Sequence, residues 1–377
     1  MSFKEKKSIL HSADVFQDKC SVLINKNVII GFDGFVDEII HVVSTREDKN
    51  IFSRIETITE FGNRILSAAG KSANMELVPL QEKIGGNGPL MLMALSNYKV
   101  NTSCIGLLGY PEVLPVFKPL EDICKIISIG NPGHTDAIEF LDGKLLFGKL
   151  NSLKEMNWEN LVKSIGEKEF IEMLCNVDLV GCTNWTMLTE MEGILDNIIR
   201  LLPKETKTTF FFDLADPEKR TINDKKILLF QLQQLNKKAK TILGLNFREA
   251  EQLISLLGIP IEPENSPEGL AYLSEQLNLV LKIHGIVIHA LGSAGAFVDN
   301  ECFGVSGPFC ANPKLTTGGG DHFNGGFCSA LLSGADLTSA LYVAVATSGW
   351  YVRNGISPKP KEVIELLRLW ANDKLND

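Results

Sequence analysis

No C-x-x-C pair occurs among the eight cysteines (Cys20, Cys104, Cys124, Cys175, Cys182, Cys302, Cys310 and Cys328), which excludes a zinc ribbon or a thioredoxin-like redox motif. Several of them lie in apolar stretches, as free thiols of a reducing cytoplasm do. No apolar run is long enough to span a bilayer. The start, Met-Ser-Phe-Lys-Glu-Lys-Lys, leads into mixed polar sequence rather than the apolar stretch of a signal peptide. Positive charge is in short supply: 37 Lys and Arg face 46 Asp and Glu, a net charge of -9. That balance argues against non-specific binding to nucleic acid and to anionic membranes. The six histidines are scattered, and His41, His134 and His289 do not sit at metal-ligand spacings. Neither an internal repeat nor a low-complexity linker divides the chain. No strand leads into G-x-G-x-x-G with an acidic residue about 20 positions on, the mark of a Rossmann dehydrogenase.

What is present is an ordinary apolar and charged content over 377 residues, enough to bury a large core. The sequence is organised around Asn312-Pro-Lys-Leu-Thr-Thr-Gly-Gly-Gly-Asp-His-Phe-Asn-Gly-Gly-Phe327. A helical pattern follows Asp321, with Phe323, Phe327, Ala330 and Leu331 on one face. Three adjacent glycines, Gly318, Gly319 and Gly320, let the backbone approach a ligand closely. Their N–H groups at a helix start favour negative charge at one spot. Asp321 adds a carboxylate where a general base for a hydroxyl would sit. A flexible loop with Asp321 as N-cap is the plainer alternative.

Elsewhere the apolar run 28–30 fits a buried parallel strand. Asp33 and Asp37 project near its carboxyl end, where open α/β sheets bind ligands; turn-capping would also explain both. Lys83 to Leu95 is a second glycine cluster opening an apolar helix, with Pro89 acceptable in the first turn. Gly70-Lys71-Ser72 ends like a phosphate-binding P-loop, but a helix rather than a strand precedes it and Ile65 stands where that motif needs glycine. Two β-patterned runs flank Asp142-Gly143, a hairpin signal. Strands around 101–109, 177–182, 208–213, 239–246 and 285–289 alternate with helical stretches, which predicts a mostly parallel sheet covered on both faces. Asn246 and Glu249 have the spacing that puts both side chains on one side of a helix start, although a capping box uses the same spacing.

The string Thr316 to Phe327 resembles the C-terminal signature of the ribokinase-like sugar kinases, the PfkB family, and the rest of the chain is similar over nearly its whole length. The resemblance implies one ribokinase-like domain over 1–377 with a small β lid at about 38–55 and 134–150. It implies an ATP- and Mg²⁺-dependent kinase of a small sugar, with a nucleoside kinase of the same fold as the alternative. Asp321 would be the base, and Gly318 to Gly320 the anion hole. Asp37, or else Asp33, would hold substrate hydroxyls, together with Gly86 and Asn87 of the family's first glycine signature. Asn246, Gly292, Ser293 and Gly295 would line the nucleotide site, and Glu249 would help to hold Mg²⁺. The charge balance leaves neither nucleic acid nor membrane as partner, the thiols point to a cytoplasmic enzyme, and the oligomeric state stays open, although an exposed lid edge strand could pair with a second copy to give a homodimer. The chain departs from the pattern at Leu90, where the family has Asn, at Ala290, where it has Thr, and at Leu315, where an Asp often serves a monovalent-cation site. These departures motivate a competing reading, a sugar- or nucleotide-binding protein without turnover.

Overall fold

Valine, isoleucine, leucine and phenylalanine crowd the short strand segments, and each such run pairs with like runs far away in the chain. The computed structural model describes residues 1–375. The strands are β1 (Asn27–Gly31), β2 (Phe35–Arg46), β3 (Phe52–Arg54), β4 (Leu77–Gly85), β5 (Asn101–Gly106), β6 (Lys125–Ser128) and β7 (Gly133–Phe140). They continue with β8 (Gly143–Lys149), β9 (Leu179–Cys182), β10 (Thr209–Asp213), β11 (Lys240–Asn246), β12 (Gly285–His289), β13 (Ser293–Val298) and β14 (Glu301–Ser306). Nine of them form one sheet in the order β14-β13-β12-β11-β10-β9-β1-β5-β6. Pairing is parallel from β6 to β12 and antiparallel for β13 and β14. Central strands such as β1 and β10 are buried on both faces, which is why they read as continuous apolar runs.

The helices are α1 (Phe3–Lys19), α2 (Ile58–Ser67), α3 (Asn87–Asn97), α4 (Trp158–Ile165), α5 (Glu167–Cys175) and α6 (Met191–Leu201). They are followed by α7 (Ile222–Asn236), α8 (Phe247–Leu257), α9 (Pro267–Leu281), α10 (Gly319–Leu332), α11 (Leu337–Asn354) and α12 (Pro360–Ala371). One apolar cluster joins α1, α3, α10, α11 and α12 to one face of the sheet. A second joins α4 to α9 to the other face. This is the layered α/β arrangement expected from the alternation.

A second, smaller sheet projects from the carboxyl edge of β1. Its strands run β3-β2-β7-β8, with β4 also paired to β2. A separate apolar cluster of Ile40, Val42, Ile55, Phe61, Ile138 and Phe140 lies beneath it, with Phe61 supplied by α2. The strands of this sheet occupy 35–54 and 133–149, close to the ranges expected for a lid, and they also include β4, which those ranges omit. The reason is physical. β4 carries Pro79 and the run Gln81-Glu82-Lys83, most of it exposed, so neither alternation nor β-branching marks it. The loop holding Gly70-Lys71-Ser72 is a turn that follows α2 rather than a strand, as its helical context predicted.

Candidate active site

The carboxyl ends of β1, β10 and β11 meet the amino ends of α3, α8 and α10 at one place. Asp321 is on the first turn of α10 and only 6% exposed. Its Oδ1 accepts from Asn87 Nδ2 at 2.8 Å. Burial first, and then the nearby carboxylates of Asp33 and Glu249, push its pKa up to about 7. Two further carboxylates stand close by. Asp213, at the tip of β10, accepts from Asn324 Nδ2 at 2.6 Å, and burial with its acidic neighbours holds its pKa well above the usual range. Glu249 on α8 accepts from the backbone N–H of Asp216 and of Asn246, each at 2.8 Å, and burial raises its pKa too. Buried acids gathered in one place disfavour one another's ionisation, and a bound cation relieves that.

The glycine loop is held from behind. Gly318 has φ 89°, in the left-handed region, and caps α10. The Gly319 N–H is spent on the Thr316 carbonyl at 3.2 Å, while no described group accepts from the N–H of Gly318 or Gly320. His322 is fully buried, with Nδ1 2.8 Å from the Gly318 carbonyl and Nε2 2.7 Å from Ser357 Oγ. Burial lowers its pKa to about 4, so the ring is neutral. A carbonyl only accepts, so Nδ1 carries the hydrogen and Ser357 donates to Nε2. Tyr351 stacks on this ring at 3.5 Å and donates to the Thr317 carbonyl at 3.1 Å. The loop carbonyls are thereby pinned away from the cleft, and His322 acts on the backbone rather than on a ligand.

A cleft of about 440 Å³ opens from Gly319 and Gly320 toward Asn246, His289, Ser293 and Phe323. Asn246 caps α8, accepting from Glu249 N–H at 3.0 Å while its own N–H goes to Glu249, so the capping box is real and coexists with a place on the cleft wall. Ser293 borders the cleft but donates to Asn265 Oδ1 at 3.0 Å. Gly292 is in the turn before β13 and has open space around it. Gly295 requires correction. It lies inside β13 opposite Ile288, and an added Cβ would come within 2.3 Å of the Ala271 nitrogen. It is glycine so that α9 can pack, and it does not border the cleft.

On the lid side the two candidate aspartates separate. Asp33 is fully buried and accepts from the N–H of Asn87 and Gly88, from Asn184 Nδ2 and from Thr183 Oγ1, at 2.8 to 3.2 Å. Those four donors fill it, so it anchors the glycine loop before α3. Asp37 is only half-buried, at the root of β2, and burial raises its pKa while the Thr135 hydroxyl opposes that rise. Gly85 is glycine because a Cβ there would lie 2.6 Å from the Asp37 carboxylate. Gly86, at φ 98°, closes the turn around Asp33. Asn87, expected to meet substrate, donates one N–H of its amide to Asp321. Leu90 lies beside Gly318, putting an apolar wall where the related pattern has Asn. The sequence analysis gave no role to Asp213, Asn324 or the polar end of β9; the signals present were the strand-end positions of Asp213 and β9 and the place of Asn324 one turn after Asp321 on α10.

The model of the prokaryotic ketohexokinase family matches residues 11–370. The chain belongs to that family. It is an ATP-dependent sugar kinase, a phosphotransferase acting on a sugar hydroxyl. A ketohexokinase of Haloferax volcanii is 26% identical over 357 residues, covering 93% of this chain and 92% of that one. Among solved structures, Arabidopsis thaliana ribokinase complexed with ribose and ATP superposes with a TM-score of 0.63 at 17% identity, covering 91% of this chain and 98% of that one. A putative sugar kinase from Clostridium perfringens gives 0.61 at 16% identity, over 92% and 95% of the two chains. A nucleoside kinase of Methanocaldococcus jannaschii gives 0.56 at 14%, over 91% and 98%. These structural likenesses speak for the fold, and the family match decides between sugar and nucleoside.

Proposed function

We propose that the chain, acting as one kinase unit, transfers the γ-phosphate of ATP to a hydroxyl of a ketohexose, with Asp321 as the general base. The observation that carries this is the Asp321 carboxylate, its pKa raised by burial to about 7, in the residue after Gly320, which lines the cleft and whose N–H no described group accepts. A base whose pKa lies near the working pH transfers protons most effectively. Asp321 takes the proton of the attacking hydroxyl as the oxygen moves onto phosphorus. The glycine amides receive the charge that builds on the transferring oxygens, so catalysis is chiefly positioning and electrostatics. Asp37 orients the other sugar hydroxyls, and the lid shields the site from water. Asn246 and Ser293 line the nucleotide's side.

The residues fit a magnesium ion. Among the described residues, Asp213 and Glu249 are buried carboxylates without a cationic partner, and Asn324, which donates to Asp213, has its Oδ1 buried with no hydrogen-bond partner. Hard oxygen donors of this kind suit Mg²⁺, which keeps several waters and neutralises phosphate charge when bound. Glu249 accepts a backbone N–H on each oxygen, so it would meet the ion through water rather than directly. Leu80 on one edge strand of the small sheet and Leu146 and Phe147 on the other are exposed, and pairing of such an edge with a second copy would cover them. Eight free thiols fit a cytoplasmic setting.

The test is a panel of ketohexoses, aldohexoses, pentoses and nucleosides, scored by kcat/KM for ADP release. A ketohexose should lead. A nucleoside in front would overturn the substrate class, and nucleotide binding without release on any acceptor would favour a silent binding protein.

A further inference from the structure

On the opposite side of α3 from the catalytic cleft lies a larger groove of about 1050 Å³, between the end of α1 and the exposed face of α12. Its charge is unlike the rest of the molecule. Lys99, Lys359, Lys361, Arg368 and Lys374 line it, against the one carboxylate of Glu365, in a chain whose net charge is -9. Arg368 is tied to Asp14 and Gln17, at 2.9 and 2.8 Å. The ammonium groups of Lys99, Lys361 and Lys374 pair with no described side chain. The floor is apolar. Ile24 is 55% and Leu369 37% exposed there, beside Ile364 and the end of Tyr98. The unpaired ammonium groups outnumber the carboxylates there and repel one another, and a bound anion relieves that. A concave, apolar floor with a few converging cations is the general form of a site for a small anionic ligand.

We propose that this groove is a second, non-catalytic site for a nucleoside phosphate, whose base covers Ile24 and Leu369 while its phosphates meet Lys99 and Lys361. A bare phosphate or a sugar phosphate would leave the apolar floor wet. The site is joined to the catalytic residues by two short routes. Tyr98, the C-cap of α3, and Lys99 after it lie at the groove, and the helix's first residue, Asn87, bonds Asp321. Lys359 follows closely on Ser357, which is bonded through Oγ to His322 and through its carbonyl to Asn97. Filling the groove therefore loads the two elements that hold Asp321 and the glycine loop, and the second nucleotide changes turnover.

Equilibrium dialysis with ADP decides the matter, because no turnover intervenes. Wild type is expected to bind two ADP per chain and the double variant Lys99→Glu, Lys361→Glu one, with the variant's melting temperature and its rate at low ATP unchanged. If charge reversal disturbs folding, Lys99→Met with Lys361→Met replaces it, and the groove affinity should fall by at least about tenfold, the value of a lost charge-assisted bond. One ADP in wild type and one in the variant overturns the site. One in wild type and none in the variant keeps the groove but refutes nucleotide binding in the cleft, so the two readings fail separately. Inorganic phosphate or a hexose phosphate displacing the second ADP as well as AMP does would refute the nucleoside assignment. A rate-against-ATP curve that is one hyperbola in wild type, with both sites filled, would refute the coupling.

Discussion

Replacing Asp321 by Asn should cost activity and increase stability, and the two effects have different pH dependence. The substitution keeps the size and one acceptor of the side chain, so the bond from Asn87 survives, but it removes the proton acceptor. Loss of a general base is worth on the order of 10² or more in turnover, about 2.7 kcal/mol of barrier. The stability effect follows from burial. An ordinary Asp carboxyl titrates at 3.8 and this one at about 7. The folded state thus holds the proton more tightly than the unfolded state does. Stability from that proton is fully present below pH 3.8 and is lost as pH rises to about 7. The gap corresponds to an upper bound of about 4 kcal/mol at pH 8, of which less than half is already lost at pH 5. The neutral Asn escapes this loss. Asp321→Asn should therefore melt higher than wild type at pH 8, by several degrees, with the advantage shrinking toward pH 5. The wild-type rate should show an acid limb at or below pH 7 that the variant's residual rate lacks. Calorimetry at the two pH values and a coupled ADP assay read both effects. A variant with near wild-type turnover, or one less stable at pH 8 than at pH 5 relative to wild type, would refute the reasoning.

Three other substitutions separate the parts of the site. Asp37→Asn should raise KM for the sugar by about tenfold or more, the value of one charge-assisted hydrogen bond, while KM for ATP stays within twofold; steady-state kinetics with each substrate varied checks this. Gly318→Ala places a Cβ 2.9 Å from Tyr351 Oη on a backbone with φ 89°, so kcat should fall at least about tenfold as the glycine loop shifts. Gly295→Ala puts a Cβ 2.3 Å from the Ala271 nitrogen. It should lower stability in denaturant titration by about 1–3 kcal/mol and leave the kinetics of the folded fraction intact, since Gly295 packs α9 and does not touch the cleft.

The central stretch was legible because its chemistry is local. Three glycines, an acid and an amphipathic run fix a helix start and its unpaired amides whatever the rest of the chain does. The buried strands were legible for a similar reason, since β1 and β10 are apolar on both faces. What failed needed three-dimensional neighbours. Gly295 belongs to a Gly-x-x-Gly string that looks the same whether its second glycine faces a nucleotide or a helix; only the register of β13 against β12 settles it. Asp213 and Asn324 are 111 positions apart, and their bond exists because β10 ends over the first turns of α10. Asp33 and Asp37 are both reasonable from sequence. What separates them is the set of four donors that fills Asp33, contributed by the start of α3 and the end of β9. β4 escaped notice because an exposed lid strand carries no apolar alternation.

Phosphorus NMR of the protein mixed with MgATP and a ketohexose follows both halves of the transfer at once. The γ-phosphate signal should decay with matching growth of one sugar-phosphate signal and of ADP, and Asp321→Asn should slow all three together. ADP accompanied only by inorganic phosphate, or no change in the nucleotide signals, would contradict phosphoryl transfer to a sugar hydroxyl at Asp321.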